Sequence, residues 1–340
     1  MAIDLHAHCV PQAYLRLMEK GSARFNTRYG EDEQGRPYVE HPGRGRAVFT
    51  REFWDIDVIR KRIEGARLDR QIFSPPPQLF HYDLEPELGL EIARLWNDSM
   101  AEFAAADPDR FGALASVPLQ SPEVAAAELR RAVQEKRLSG VEVGTNCNGK
   151  YLDDPALGPF YEEAAALGVP VLVHPWNPAG ADRMGEYALF EVAAFPLDTT
   201  ICLIRLMLSG TLDRFPGVRF CFVHAGAFVP TLLGRIRRAL EVYPAFAKDS
   251  KAAPEDYLRR LHFDTIVLSA PTLRYVIDRV GTERLFLGSD HPFGVGDPDP
   301  VSSVEALNLP PDQAAAVLEG NARRLLNPGG PSLGFARDKL

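Results

Sequence analysis

No stretch of this 340-residue chain approaches the roughly 20 consecutive apolar residues that a membrane-spanning helix needs. The opening residues, MAIDLHAH, carry no basic segment followed by an apolar one, and a first strand expected to start beside Met1 leaves no room for a removable leader. Cysteine is scarce: Cys9, Cys147, Cys202 and Cys221 are the four present, and none pair as CxxC. That excludes a thiolate metal knuckle and a dithiol redox motif, so free thiols in a reducing cytoplasm are expected. Basic residues are in deficit, with 38 Lys and Arg against 46 Asp and Glu and a net charge of −8, which argues against a nucleic-acid partner. A small anion meeting a local group of arginines is not excluded. Internal repeats, long charge blocks and low-complexity tracts are also missing.

What remains is an alternation of strand-like and helix-like segments from end to end. Apolar, β-branched runs read as strands over Ile3–His6, Gln71–Ser74, Gly112–Val117, Gly140–Gly144, Val169–His174, Arg219–His224, His262–Val267 and Arg284–Gly288. Between them lie segments with helical spacing, among them Ile56–Gly65, Leu88–Ala106, Pro122–Glu135, Pro159–Leu167, Pro230–Val242 and Ala270–Val280. Eight such units, with 46% hydrophobic residues to fill a core, predict an α/β protein built as a distorted (β/α)8 TIM barrel. One domain, 1–326, is expected, followed by a loosely docked tail at 327–340. The alternation breaks after strand one. Residues 21–52 are rich in Gly, Arg and polar residues without helical period, and read as an insertion over the barrel mouth, a small β subdomain or a lid. A second irregular stretch, Asn177–Phe195, would overhang the same face.

Five ionisable residues fall where the strands end: His6 and His8 in IDLHAH, His174 in VLVHP, His224 in FCFVHAG, and Asp290 in LFLGSDHP. In a barrel of this kind the C-terminal strand ends build the site. His6 and His8 are two apart, so on a strand they face one way and can share an ion. Imidazole and carboxylate suit zinc and its first-row neighbours. Taken singly each residue has another reading: Asp290 could cap a helix, Arg51 could be a solvated surface charge, and Arg235 could belong to the exposed helix face of GRIRRAL.

In register, HxH, HPW, HAG and SDHPFG resemble the amidohydrolase superfamily, and within it the branch of aminocarboxymuconate-semialdehyde decarboxylase. REFWDIDVIRKRIEGARLDRQ, RFGALASVPLQSPEVAAAEL, GVEVGTN and DTTICLIRLMLSG follow in the same order, so the likeness extends over nearly the whole chain. It implies one Zn2+ per chain, or another divalent transition metal, held by His6, His8, His174 and Asp290 with a solvent molecule. It implies His224 as the general base beside that solvent, with a further metal ligand as its alternative role. It implies Arg51 and Arg235 as the arginines that grip substrate carboxylates, Arg235 in trans across a homodimer. Trp176 and Phe293, with Phe190 and Phe195, would line the pocket or fill the core. Strand four, GVEVGTN, has no lysine at its end, so a second metal is not expected.

The activity implied is non-oxidative decarboxylation of a small unsaturated or aromatic acid, 2-amino-3-carboxymuconate-6-semialdehyde or a close analogue. A hydroxybenzoate-type decarboxylase is the alternative on the same branch, and a metal-dependent lactone or amide hydrolase the alternative reaction class. The chain departs from the family in Ser289-Asp290-His291-Pro292, where His291 replaces an expected tyrosine, and in the residues after His174. His291 reads either as a neighbour of the metal set or as a helix start. His41, His81 and His262 have no role assigned, His262 being expected at the far end of strand seven.

Overall fold

The computed structural model of the chain describes residues 1–42, 45–247 and 249–327. Eight parallel strands alternate with helices: β1 (Ile3–His8), β2 (Arg70–Ser74), β3 (Phe111–Ala113), β4 (Val141–Gly144), β5 (Pro170–His174), β6 (Arg219–Phe222), β7 (His262–Asp264) and β8 (Leu285–Phe286). They form two arcs, β1–β2–β3 and β4–β5–β6–β7–β8. The arcs join through single bridges, Ala115 to Val141 on one side and Ala7 to His291 on the other. The second junction is reinforced by Leu5 N–H to Leu287 O at 2.9 Å, Asp290 N–H to His6 O at 2.8 Å and His8 N–H to His291 O at 2.7 Å. This is a distorted (β/α)8 barrel. Its inside holds an apolar cluster in which Ile3, Leu5, Ile72, Leu114, Leu172 and Phe286 meet, closed by Ala322 and Leu325 of the last helix. That filling makes the barrel a packed core with its chemistry confined to one rim.

The helices start where the sequence carries start signals. Proline stands in the first turn of the helices Pro86–Ala105, Pro122–Gln134, Gly158–Leu167, Phe195–Leu208 and Val229–Val242, where its missing N–H costs nothing. Asp55 caps Ile56–Gly65, accepting from the N–H groups of Asp57 and Val58. Between β1 and β2, Arg28–Glu31, Pro37–His41 and Gly45–Val48 form an antiparallel three-stranded sheet. His41 ties it to the barrel, its ring 5.0 Å from His81 and 6.3 Å from Trp176. The expected tail lies, beyond Asn327, outside the described residues.

Four of the eight strands stop earlier than the apolar runs suggest. β6 ends at Phe222 and β8 at Phe286, two and four residues short of His224 and Asp290. Both of those residues adopt left-handed backbone, with φ of 54° and 59°. A non-glycine residue there stores about 1 kcal/mol or more of strain, a cost found where a side chain must be aimed rather than a ladder continued.

Candidate metal centre

Three imidazoles arrive with one nitrogen already committed. His6 Nδ1 lies 2.8 Å from Asp264 Oδ2, His8 Nδ1 3.3 Å from Pro75 O, and His174 Nδ1 2.9 Å from Pro175 O. Each Nδ1 faces an acceptor, so each carries its proton there and leaves the Nε2 lone pair pointing inward. Inside, His6 Nε2 is 3.2 Å from His8 Nε2, His8 Nε2 is 3.0 Å from Asp290 Oδ1, and His6 Nε2 is 3.4 Å from the same oxygen. His174 Nε2 is buried with no hydrogen-bond partner. Lone pairs at such separations repel unless a cation sits among them, and atoms bound ~2.1 Å from one ion lie roughly 3.0–3.4 Å apart. The residues present fit a divalent metal ion.

The electrostatics point the same way. Burial holds His8 below its ordinary pKa, and burial together with the neighbouring histidines holds His174 well below, so both offer neutral rings. His6 is opposed by burial too, yet its hydrogen bond to Asp264 and the Asp290 charge hold it up to about 9. A cation entering the site takes that proton's place. Asp290 stays well below the carboxylate range despite burial, because the imidazoles of His224, His6 and His8 around it favour its charged form.

The five residues named from the sequence converge. His224 stands half outside the set, its Nε2 3.5 Å from Asp290 Oδ2 and its ring centroid 5.4 Å from that of His174. With His174, Asp290 and Phe293 it lines a cavity of about 660 Å³. The other calls are placed differently. Trp176 is buried between Phe80 and His41 and does not line the cavity; it supports the inserted sheet. Arg51 is 73% exposed, its guanidinium held by Asp55 one turn on, and it does not line this cavity, whereas Arg46 of the same insertion does. Arg235 is exposed on the helix Val229–Val242, away from this chain's own cavity. His291 is 8% exposed beside Arg62, whose Nε lies 3.4 Å from its Nδ1, and burial pushes its pKa down to about 4.

Three participants carried signals that were passed over. Asp264 ends the apolar β7 run HFD and holds His6. Glu142 interrupts an apolar strand, VEV, and is wholly buried. With His6, His8 and His174 it forms one of two groups whose ligand atoms lie within 4.8 Å of one another, the other being His6, His174, His224 and Asp290. Arg46 sits in a short strand with no distinguishing motif. Gly288 is required by close approach: a Cβ there would stand 3.0 Å from Asp264 Cβ and 3.1 Å from His6 Cβ.

A barrel of this topology, with a rim of histidines and one aspartate, defines a metal-dependent amidohydrolase-type enzyme. Residues 3–327 match the family described as amidohydrolase, and the chain belongs to that family, on its decarboxylase branch. It is 32% identical over 318 residues to a 2-amino-3-carboxymuconate-6-semialdehyde decarboxylase of Dictyostelium discoideum, covering 90% of this chain and 86% of that one. The structure of the IDCase of Metarhizium anisopliae matches with a TM-score of 0.85 at 24% identity, over 96% of this chain and 97% of that one. A dihydroxybenzoic acid decarboxylase of Polaromonas sp. JS666, solved with manganese and 2-nitroresorcinol, matches with a TM-score of 0.78 at 25% identity, over 98% and 99% of the two chains.

Proposed function

We propose that this chain is a non-oxidative carboxy-lyase that uses one divalent ion to decarboxylate a small unsaturated or aromatic acid. One observation carries the reading: three inward Nε2 atoms and a carboxylate meet beside a largely apolar cavity that Arg46 helps to line. The bound ion supplies a Lewis-acid centre that polarises substrate oxygens and lowers the pKa of a bound water. Zn2+ suits imidazoles and a carboxylate, and the manganese of the Polaromonas relative makes Mn2+ the second choice.

The chain's own residues do the rest. Phe190, Phe195 and Phe293 offer flat apolar walls to a planar substrate and keep water from it. Arg46, whose guanidinium lies over the Tyr38 ring and 3.5 Å from Glu40, would turn its planar fork to a substrate carboxylate in two hydrogen bonds. Loss of CO2 leaves the bonding pair on carbon, and a proton must replace it. His224 lines the cavity with Nε2 inside the site, so it is placed to hold that proton and return it.

The substrate of first choice is 2-amino-3-carboxymuconate-6-semialdehyde or a close analogue, supported by the likeness to the Dictyostelium enzyme. Such a dicarboxylate needs two cations, and among the described residues Arg46 is the one arginine lining the cavity. The second would then be the partner subunit's Arg235 in a homodimer. That same count favours a second reading, a hydroxybenzoate with one carboxylate. Metal-replete enzyme is to be given the semialdehyde and 2,6-dihydroxybenzoate in parallel, and CO2 release measured. Turnover of the semialdehyde that collapses in Arg235→Ala supports the first reading; turnover of the benzoate that survives it supports the second. A ring-opened acid from a lactone with no CO2 from either acid would sink both and leave a hydrolase.

A further inference from the structure

Glu142 has no place in the ligand set discussed so far. Its side chain is 0% exposed, and neither carboxylate oxygen has a hydrogen-bond partner. The Ser74 hydroxyl is near enough to lean on the carboxylate, but the acceptor within its hydrogen-bond range is Ala7 O at 3.2 Å. An unpartnered carboxylate in such a place is strongly unfavourable unless a cation meets it. A protonated acid would still leave both oxygens orphaned. Pairing with His6 does not account for it either, because His6 already has Asp264 at Nδ1 and Asp290 near Nε2.

Its position in the barrel removes other roles. β4 pairs with β5 so that Glu142 stands beside Leu172 and Gly144 beside His174. Leu172 belongs to the packed interior, so Glu142 approaches the imidazoles from the inside of the barrel, opposite the mouth. It does not line the cavity and cannot touch a substrate bound there. One of its oxygens nevertheless lies within 4.8 Å of ligand nitrogens on His6, His8 and His174.

We propose that Glu142 is a direct ligand of the ion, supplied by β4 from beneath, so that the centre is three imidazoles and two carboxylates. This rests on the reading of the site as a metal centre and adds to it a ligand and a preference. Two carboxylate ligands match the charge of a divalent ion at the ion itself, where Asp290 would otherwise be the single charged ligand and Asp264 acts only through His6. A second oxygen donor also moves the set away from a four-coordinate ion of the zinc type. It favours a harder ion that takes five or six ligands, of which Mn2+ is the transition-metal example.

The test uses the full-length protein, stripped by chelator and titrated with Mn2+ and Zn2+ against a competing chelator. Glu142→Gln is expected to weaken Mn2+ more than roughly 100-fold, beyond the ~10–100-fold that follows loss of a hydrogen-bonding partner outside the ligand set. Zn2+ affinity is expected to fall less, so that the ratio between the ions shifts toward zinc. Glu142→Ala should behave alike, with added formate restoring part of the Mn2+ affinity by supplying the missing oxygen. Metal-free Glu142→Gln should melt no lower than metal-free wild type, since an unpartnered acid has been removed, while the gain on loading shrinks. Unchanged Mn2+ affinity in Glu142→Gln, or a variant that cannot fold without metal, overturns the proposal and leaves the metal centre standing. Wild type that binds neither ion overturns both.

Discussion

Asp264→Asn tests whether the site works through the tautomer of His6. The Asp264 carboxylate accepts from His6 with Oδ2 at 2.8 Å, and with Oδ1 from Ala225 N–H at 2.8 Å and Ile266 N–H at 3.1 Å. Asparagine has one oxygen. The two backbone donors keep it, and the NH2 group then faces His6 Nδ1. That nitrogen must accept, so the ring proton moves to Nε2 and points at the ligand centre, where a cation should bind. To bind metal the variant must turn His6 back and set two donors face to face. The expected loss is ~10–100-fold in metal affinity, or about 1.4–2.7 kcal/mol. The assay is chelator competition at neutral pH on Asp264→Asn and wild type, with melting of the metal-free forms as control. Because the backbone contacts survive, the metal-free variant should stay folded, melting lower than wild type by the lost His6–Asp264 pair. Metal affinity within about threefold of wild type would refute the tautomer argument.

His174→Ala should lose most of its metal, whereas His224→Ala should keep much of it and lose ~10²–10⁴-fold in turnover, as measured by elemental analysis beside CO2 release; parallel loss of metal in both would make His224 a ligand. Arg46→Ala should lower kcat/KM for the acid by the equivalent of ~1.5–3 kcal/mol. Arg51→Ala, which breaks only an exposed contact with Asp55, should change it little, and the reverse order would restore Arg51 as the carboxylate grip. His262 is held neutral by burial, its pKa pushed down to about 4 from an ordinary 6.5. The unfolded chain therefore takes up a proton first, so stability present above about 6.5 is lost as pH falls toward 4. Metal-free wild type should lose melting temperature faster than His262→Gln between pH 7 and pH 5, and equal slopes would reject the assignment.

Histidine and aspartate at the ends of apolar runs were legible because barrel strands place their last residues at one rim, whatever the loops do. The eight strands were legible for a related reason: apolar runs bounded by proline and glycine turns cannot pack otherwise. The insertion was legible only as a small β subdomain or a lid, and the bounds of its three strands were not. Arg28–Glu31, Pro37–His41 and Gly45–Val48 are short, mixed in composition and stabilised by packing against the barrel, as through His41, His81 and Trp176. Arg51 and Arg46 show what that costs the reading. They sit five residues apart in one insertion, and only its fold decides that Arg46 lines the cavity while Arg51 does not. Asp264 and Glu142 were visible as charges inside apolar strands, but what they serve depends on which strands become neighbours.

The junction where β1 meets the β8 end of the barrel has a meaning for the chain as a polymer. His8 and Asp290 are 282 residues apart in sequence and 3.0 Å apart in space. An ion bound to both fastens the first strand to the last and closes a loop that takes in almost the whole protein. Ordering the two ends of so long a loop is entropically costly, and a cross-link there restricts the unfolded chain more than one between near neighbours. Stripping the ion should release the two termini as a unit while the β4–β8 arc holds. The first amides to lose protection in hydrogen exchange would then be those of residues 3–8 and 287–291, with the core of the arc exchanging later. Metal supply would in that way set the lifetime of the folded chain.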